Sequence, residues 1–223
     1  MMNLSKLQLS AEESAMVQNS HWLLTKNIIM QKAYLLFGEA AASLQSILGS
    51  GNGLQQDLLV LSPKISRGEN YKGLPYVMLD YPRHFSKGEI FAFRTMFWWG
   101  NFLSFTWHLK GSYALAYRQV IISHHKQLAN AGFHICVSED EWQHDFETGN
   151  YFPTRDLSTE ALAMLLDNKA FTKLAVKIPL DHWNNANDEL MNNYLLILEL
   201  VKISSQGDEK DPLPGNPKAE FGL

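Results

Sequence analysis

The 223-residue sequence predicts an α+β fold in which a central antiparallel β-meander of about four to five strands is covered by helices and preceded by an N-terminal helical segment. Three observations predict it. Apolar residues recur at helical steps from Trp22 to Leu48, two aromatic runs flank Gly100-Asn101, and an apolar stripe runs through Leu190, Tyr194, Leu198 and Val201.

At the N-terminus, Ser10-Ala-Glu-Glu13 has capping-box spacing, so a helix starts there. Leu23, Ile28, Ile29, Leu35, Leu36, Ala40 and Leu44 carry a long helix to about Leu48, with a break near Asn19 and Ser20. Gly49-Ser-Gly-Asn-Gly53 ends it. Leu58 to Leu61 is apolar without a readable period. Ser62 to Pro75 contains two prolines and two glycines among polar residues and reads as a loop over the sheet.

The strands follow at Tyr76 to Tyr81, Ile90 to Trp99 and Phe102 to Leu109, with Gly100-Asn101 as a two-residue hairpin turn. That turn sets Trp99 against Phe102, Phe97 against Ser104, Thr95 against Thr106 and Phe93 against His108. On the other face Trp98 meets Leu103, Met96 meets Phe105 and Arg94 meets Trp107. Neither face is polar, so helices, a partner or a ligand must cover both. Arg94, set among large apolar groups and unable to shed its charge, then requires an anion, a carbonyl or an aromatic ring.

Ser112 to Ala129 reads as one helix with Gly132 beyond its end, and Phe133 to Val137 as a short strand. Ser138-Glu-Asp-Glu141 repeats the capping-box spacing and predicts a short helix to about Glu147. Asn150 to Arg155 is a connection, and Ser158 caps a helix through Leu166. Phe171 to Ile178 alternates as an edge strand with a solvated side of Lys173, Ala175 and Lys177. Pro179 stops it and Asp181 caps the final helix. Helices are expected on both sheet faces, in one domain over residues 1–203 with a flexible tail over 204–223.

Composition narrows the function classes. The single Cys136 permits no intramolecular disulfide and fits a reducing cytoplasm, and no apolar run reaches the roughly 20 residues of a membrane span. The net charge of -4 hides a basic segment, Lys64 to Lys126, with nine basic and three acidic residues. Half of the aromatic residues lie between Tyr71 and Tyr113 in the same stretch. No dinucleotide or triphosphate loop, nucleophile elbow or zinc-ligand spacing occurs, so neither a cofactor nor a metal is expected and no residue trio marks a catalytic centre. His134 and Cys136 share a strand face but supply only two ligands. Asp80 and Glu89 read as local ion-pair partners of Arg83 or Lys87.

The remaining signal is the basic and aromatic set Arg67, Tyr71, Lys72, Tyr76, Arg83, Arg94 and Trp107. Arginine matches carboxylate or phosphate with two prongs, so the set predicts a pocket for a small anionic, partly apolar ligand beside the sheet. Arg94 and Arg67 would contact the anion, walled by Tyr71, Tyr76 and Trp107. Stacking of Arg94 on Trp107 in a dry core is the purely structural alternative. Self-association through the aromatic sheet is the second functional reading. Single-stranded nucleic acid is the weakest partner, because the chain is acidic overall, with a pI near 6.0.

Overall fold

The computed structural model describes residues 7–49, 54 and 56–208. The glycine-rich stretch at 50–53 and residues 209–223 of the expected tail lie outside the described residues.

Helix α1 (Ala11–Gln18) opens with the predicted capping box: Ser10 Oγ accepts from the Glu13 amide, and Glu13 accepts from the Ser10 amide. A break at Asn19 precedes α2 (Ser20–Gly49), which buries Met30, Ala33, Phe37, Ala40, Leu44 and Leu48 along one side. A short 3-10 turn at Gln56–Leu59 leads to the sheet.

Seven strands form that sheet: β1 (Lys64–Tyr71), β2 (Leu74–Phe85), β3 (Ile90–Trp98), β4 (Phe102–Lys110), β5 (His134–Cys136), β6 (Tyr151–Pro153) and β7 (Phe171–Pro179). All neighbours are antiparallel, in the order β1-β2-β3-β4-β7-β5-β6. The α+β architecture is therefore as expected, with more strands. Ser62 to Pro75 is not a loop but mostly strand β1, because its residues pair with β2 from Lys64↔Asp80 onward. Residues 151–153 of the expected connection pair with β5. Strand β7 is interior rather than an edge, with β4 on one side and β5 on the other.

The hairpin register differs from the expectation by one residue. Trp98, not Trp99, faces Phe102, because Trp99, Gly100 and Asn101 make a three-residue loop in which Gly100 takes a left-handed φ of 71°. A one-residue slip exchanges the faces of one strand relative to the other. Arg94 thus faces Thr106, Phe93 faces Trp107, and Arg94 and Trp107 lie on opposite sides of the sheet.

The remaining helices are α3 (Ser112–Ser123), α4 (His125–Asn130), α5 (Thr159–Asp167) and α6 (Ala186–Asp208). The single helix expected over Ser112 to Ala129 is interrupted at His124, whose ring Nδ1 shares the Val120 carbonyl with its own amide. Glu89 caps α3 from the β2–β3 turn by accepting from the Ser112 amide at 2.8 Å and hydroxyl at 2.7 Å, rather than pairing with Arg83 or Lys87. Gly111 makes this possible, since a Cβ there would fall 2.4 Å from Glu89 Oε1. Ser158 caps α5 as predicted, whereas Asp181 sits within a 3-10 turn, Leu180–Asn185, before α6. Helix α6 runs past residue 203 to Asp208 and buries Leu190, Tyr194, Leu198 and Val201.

Helices do not cover both faces. All of them that bury residues pack on one side, against Val77, Leu79, Phe93, Phe97, Phe105, Trp107, Leu174 and Ile178. The other side is closed by residues 137–150, here called the strap, in which no helix forms. Ser138 Oγ accepts from the Asp140 amide and Asp140 Oδ1 from the Trp142 amide. These local turns replace the helical ladder that the capping-box spacing predicted. No helix of the described residues is long and apolar enough to cross a membrane, and Cys136 is free.

Candidate functional site

Strands β2, β3, β4 and β7 present Asp80, Arg94, Thr106, His108, Lys173 and Ala175 on the strap side, all in adjacent register. Apart from half-buried Arg94, every one of these residues is buried. Arg94 satisfies its charge within the chain. Its Nε donates to Asp80 Oδ1 at 2.7 Å and its Nη2 to Asp80 Oδ2 at 3.1 Å, a two-pronged pair that overturns the expected Asp80 partners Arg83 and Lys87. Nη1 reaches His144 Nε2 at 3.5 Å, and the guanidinium lies over Phe85 and Trp142, 5.3 and 5.7 Å from their centroids. The ring that stacks on Arg94 is therefore not Trp107, which is sealed beneath Phe91 and Tyr117 on the helix side.

Lys173 is the unusual cation. It is 0 % exposed, its Nζ donates to the Gln143 carbonyl at 2.6 Å, and it lies 5.3 Å from the Tyr151 ring centroid. No ion pair joins it to a described carboxylate: nearby Glu141 is held by Lys110 at 2.7 Å and Glu139 by Lys169. Burial, and secondarily the field of Arg94, lowers its pKa to about 8.

Its cross-strand neighbour His108 rests against Trp142 and Phe171. Burial first, then the charges of Lys173, Arg94 and Lys110, lower the His108 pKa to about 2, so the ring is neutral. His144 shifts the same way for the same first cause. His108 Nε2 and Glu141 Oε2 face each other at 3.5 Å without a hydrogen bond. The Tyr151 hydroxyl senses Thr106 but makes no bond of acceptable geometry, and burial raises its pKa well above the ordinary value. Three buried polar atoms without partners thus surround one buried cation. Cys136, beside them, is an inert thiol whose pKa burial raises.

The strap is tied down by side chains. Tyr71 Oη donates to Asp145 Oδ2 at 3.1 Å and accepts from the His144 amide at 2.7 Å and the Asp145 amide at 3.2 Å. Lys72 bridges Asp145 at 2.9 Å and Glu147 at 3.0 Å. Burial opposes ionisation of Asp145, but the bonds from Lys72, the Glu147 amide and Tyr71 outweigh it and hold the carboxyl below its usual range.

The predicted site residues divide accordingly. Tyr71, Lys72 and Arg94 meet at the strap, and Tyr76 adjoins them through the Tyr71–Tyr76 ring contact at 6.3 Å. Arg83 is spent on the Ser62 carbonyl at 2.9 Å. Arg67 faces the helix side by its register with Val77 and does not converge with Arg94. The residues missed from sequence are Asp80 as the partner of Arg94, and Lys173, His108, His144, Tyr151 and Trp142. Lys72 and Arg94 are paired to acids, and Arg67 lies on the other side of the sheet.

Among the described residues no group of three or more His, Cys, Asp or Glu side chains could hold a metal ion. An open cleft of about 470 Å³ lies on the helix side, lined by Ile29, Phe97, Trp99, Leu180 and Trp183, away from the buried charges. No protein-family model matches the chain, and no curated protein matches it.

Proposed function

We propose that the protein binds a small anionic, partly apolar ligand on the strap side of the sheet, with Lys173, His108 and Arg94 below it and the strap above. The observation that carries this reading is the Lys173 ammonium, fully buried yet paired with no described carboxylate, and flanked by the unpartnered His108 Nε2 and Tyr151 hydroxyl. A buried cation without a counter-ion is costly, and its retention argues for a role beyond packing. A carboxylate or phosphate would supply the missing acceptors. The rings of Trp142, Phe85 and Phe171 account for the apolar part of the ligand.

Entry requires the strap to lift. Its anchors are side-chain bonds from Tyr71, Lys72, Lys110 and Lys169 rather than a continuous strand ladder. The single buried thiol is in keeping with a reducing cytoplasm as the setting.

Calorimetric titration with benzoate and phenyl phosphate tests the reading. We expect one of the two to saturate the wild-type protein, and Lys173→Met and Tyr151→Phe each to weaken it at least tenfold while the fold persists. Unchanged affinity in a folded Lys173→Met variant would overturn it.

A further inference from the structure

We propose that α2 pairs with α2 of a second copy of the chain in an antiparallel, two-fold seam. This rests on the surface of α2 and not on the strap site. Helix α2 buries nothing before Met30, so its first turns stand clear of the core and leave Trp22 and Leu23 half exposed.

On the side turned away from the core, Ile28, Leu35 and Ala42 recur every seven residues, interleaved with Leu24, Gln31 and Gly38. That is the alternating four-and-three spacing of a coiled-coil seam. Leu24, Ile28 and Leu35 are 60 %, 58 % and 58 % exposed. Gly38 and Ala42 permit close approach of the helices, and a polar residue such as Gln31 within a seam fixes register.

The flanking charges select the direction. Lys32 and Glu39 lie one heptad apart on the same edge of the seam, and neither forms an ion pair within the described residues. A two-fold axis between them sets each Lys32 against Glu39 of the other copy. A parallel pairing would set them against Asn27 and Tyr34 and leave both charges alone.

The area is of the right order. Leu24, Ile28 and Leu35 in the seam and Tyr34 at its edge each leave on the order of 100 Å² in water, roughly 400 Å² together, whereas a standard interface takes about 800 Å² per partner and only a little over half of that is apolar. A lipid surface fits less well. Interfacial helices carry a basic polar face, whereas Lys26 is paired with Glu69 at 2.5 Å and the exposed edge of the helix carries Glu39 as well as Lys32.

Sedimentation of the full chain over a hundredfold concentration range tests the proposal. We expect a dimer that Ile28→Glu/Leu35→Glu weakens at least a hundredfold, with unchanged circular dichroism and urea midpoint. Lys32→Glu should weaken it about tenfold, and Lys32→Glu/Glu39→Lys should restore it. A monomer at every concentration, or a dimer that survives the double glutamate, overturns the proposal. A monomer that co-floats with phosphatidylserine vesicles overturns it in favour of a lipid surface. A Lys32→Glu dimer of unchanged affinity overturns the antiparallel sense.

Discussion

On the helix side of the sheet Phe93 meets Phe105 and Tyr194, and the polar group Thr95 is satisfied by the Tyr194 hydroxyl. One residue along the same strands, on the strap side, Arg94, Thr106 and His108 are almost as dry, yet they meet Asp80, His144 and Lys173. Burial alone therefore does not distinguish the two faces. One is closed by apolar stripes whose packing stabilises the fold. The other is closed by an irregular segment whose backbone and side chains answer buried charges, with Lys173, His108 and Tyr151 left incompletely answered. The difference teaches that buried polar groups without full partners cost stability, and sites of chemistry or binding are the usual reason such groups are kept.

Substitutions on the two faces sharpen this contrast. The largest loss belongs to the helix side: Phe105→Ala should cost about 3–5 kcal/mol in urea unfolding, because the ring is fully buried among Phe93, Phe133 and Tyr194. Asp80→Ala on the strap side should cost roughly 3 kcal/mol by stranding Arg94, whose side chain is only 12 % exposed.

Lys173→Met should act in the opposite direction, stabilising the unliganded protein by about 1–3 kcal/mol at pH 7. The lysine pKa falls from 10.5 to about 8 on folding, so the penalty is complete below pH 8 and is relieved as pH rises toward 10.5. The wild type should gain stability across that window and the variant should not. If Lys173→Met is instead destabilising, the two faces are alike in kind and the contrast fails.

Acid should produce a smaller effect. The His108 pKa falls from 6.5 to about 2, so its contribution is present above pH 6.5 and is lost as pH drops below that value. His144 adds a loss of the same sign. His108→Phe, which preserves ring contacts with Trp142 and Phe171, should make thermal unfolding less steeply pH-dependent between pH 6.5 and about 4. The smallest effect is at α1, which buries no residue: Ser10→Ala removes its cap but should change the free energy of global urea unfolding by less than about 0.5 kcal/mol.

Helix starts at Ser10 and Ser158, the break at Asn19 and the stripe from Leu190 to Val201 were legible because each depends on local spacing. The need for cover on both sides of β3 and β4 was legible too. The cover itself was not: the capping-box spacing from Ser138 to Glu141 suits a helix, but the strap spends those groups on local turns and on Tyr71. Lys173 alternates with apolar residues as a solvated side chain would, and only the strap, which begins more than twenty residues earlier in the chain, makes it a buried one. The apolar surroundings of Arg94 in the sequence demand an anion, a carbonyl or a ring, and the side chain has Asp80 as well as the rings of Phe85 and Trp142. A slip of one residue at Gly100 gave it the wrong neighbour, Trp107 in place of Thr106.

The most direct test is a pH titration of the Lys173 ammonium by NMR, using lysine labelled at Cε and assigned with Lys173→Met. A buried cation without a carboxylate partner should titrate near 8 in the free protein and move upward when an anion binds beside it. Titration at the ordinary lysine value, unchanged by every anion offered, would contradict the account.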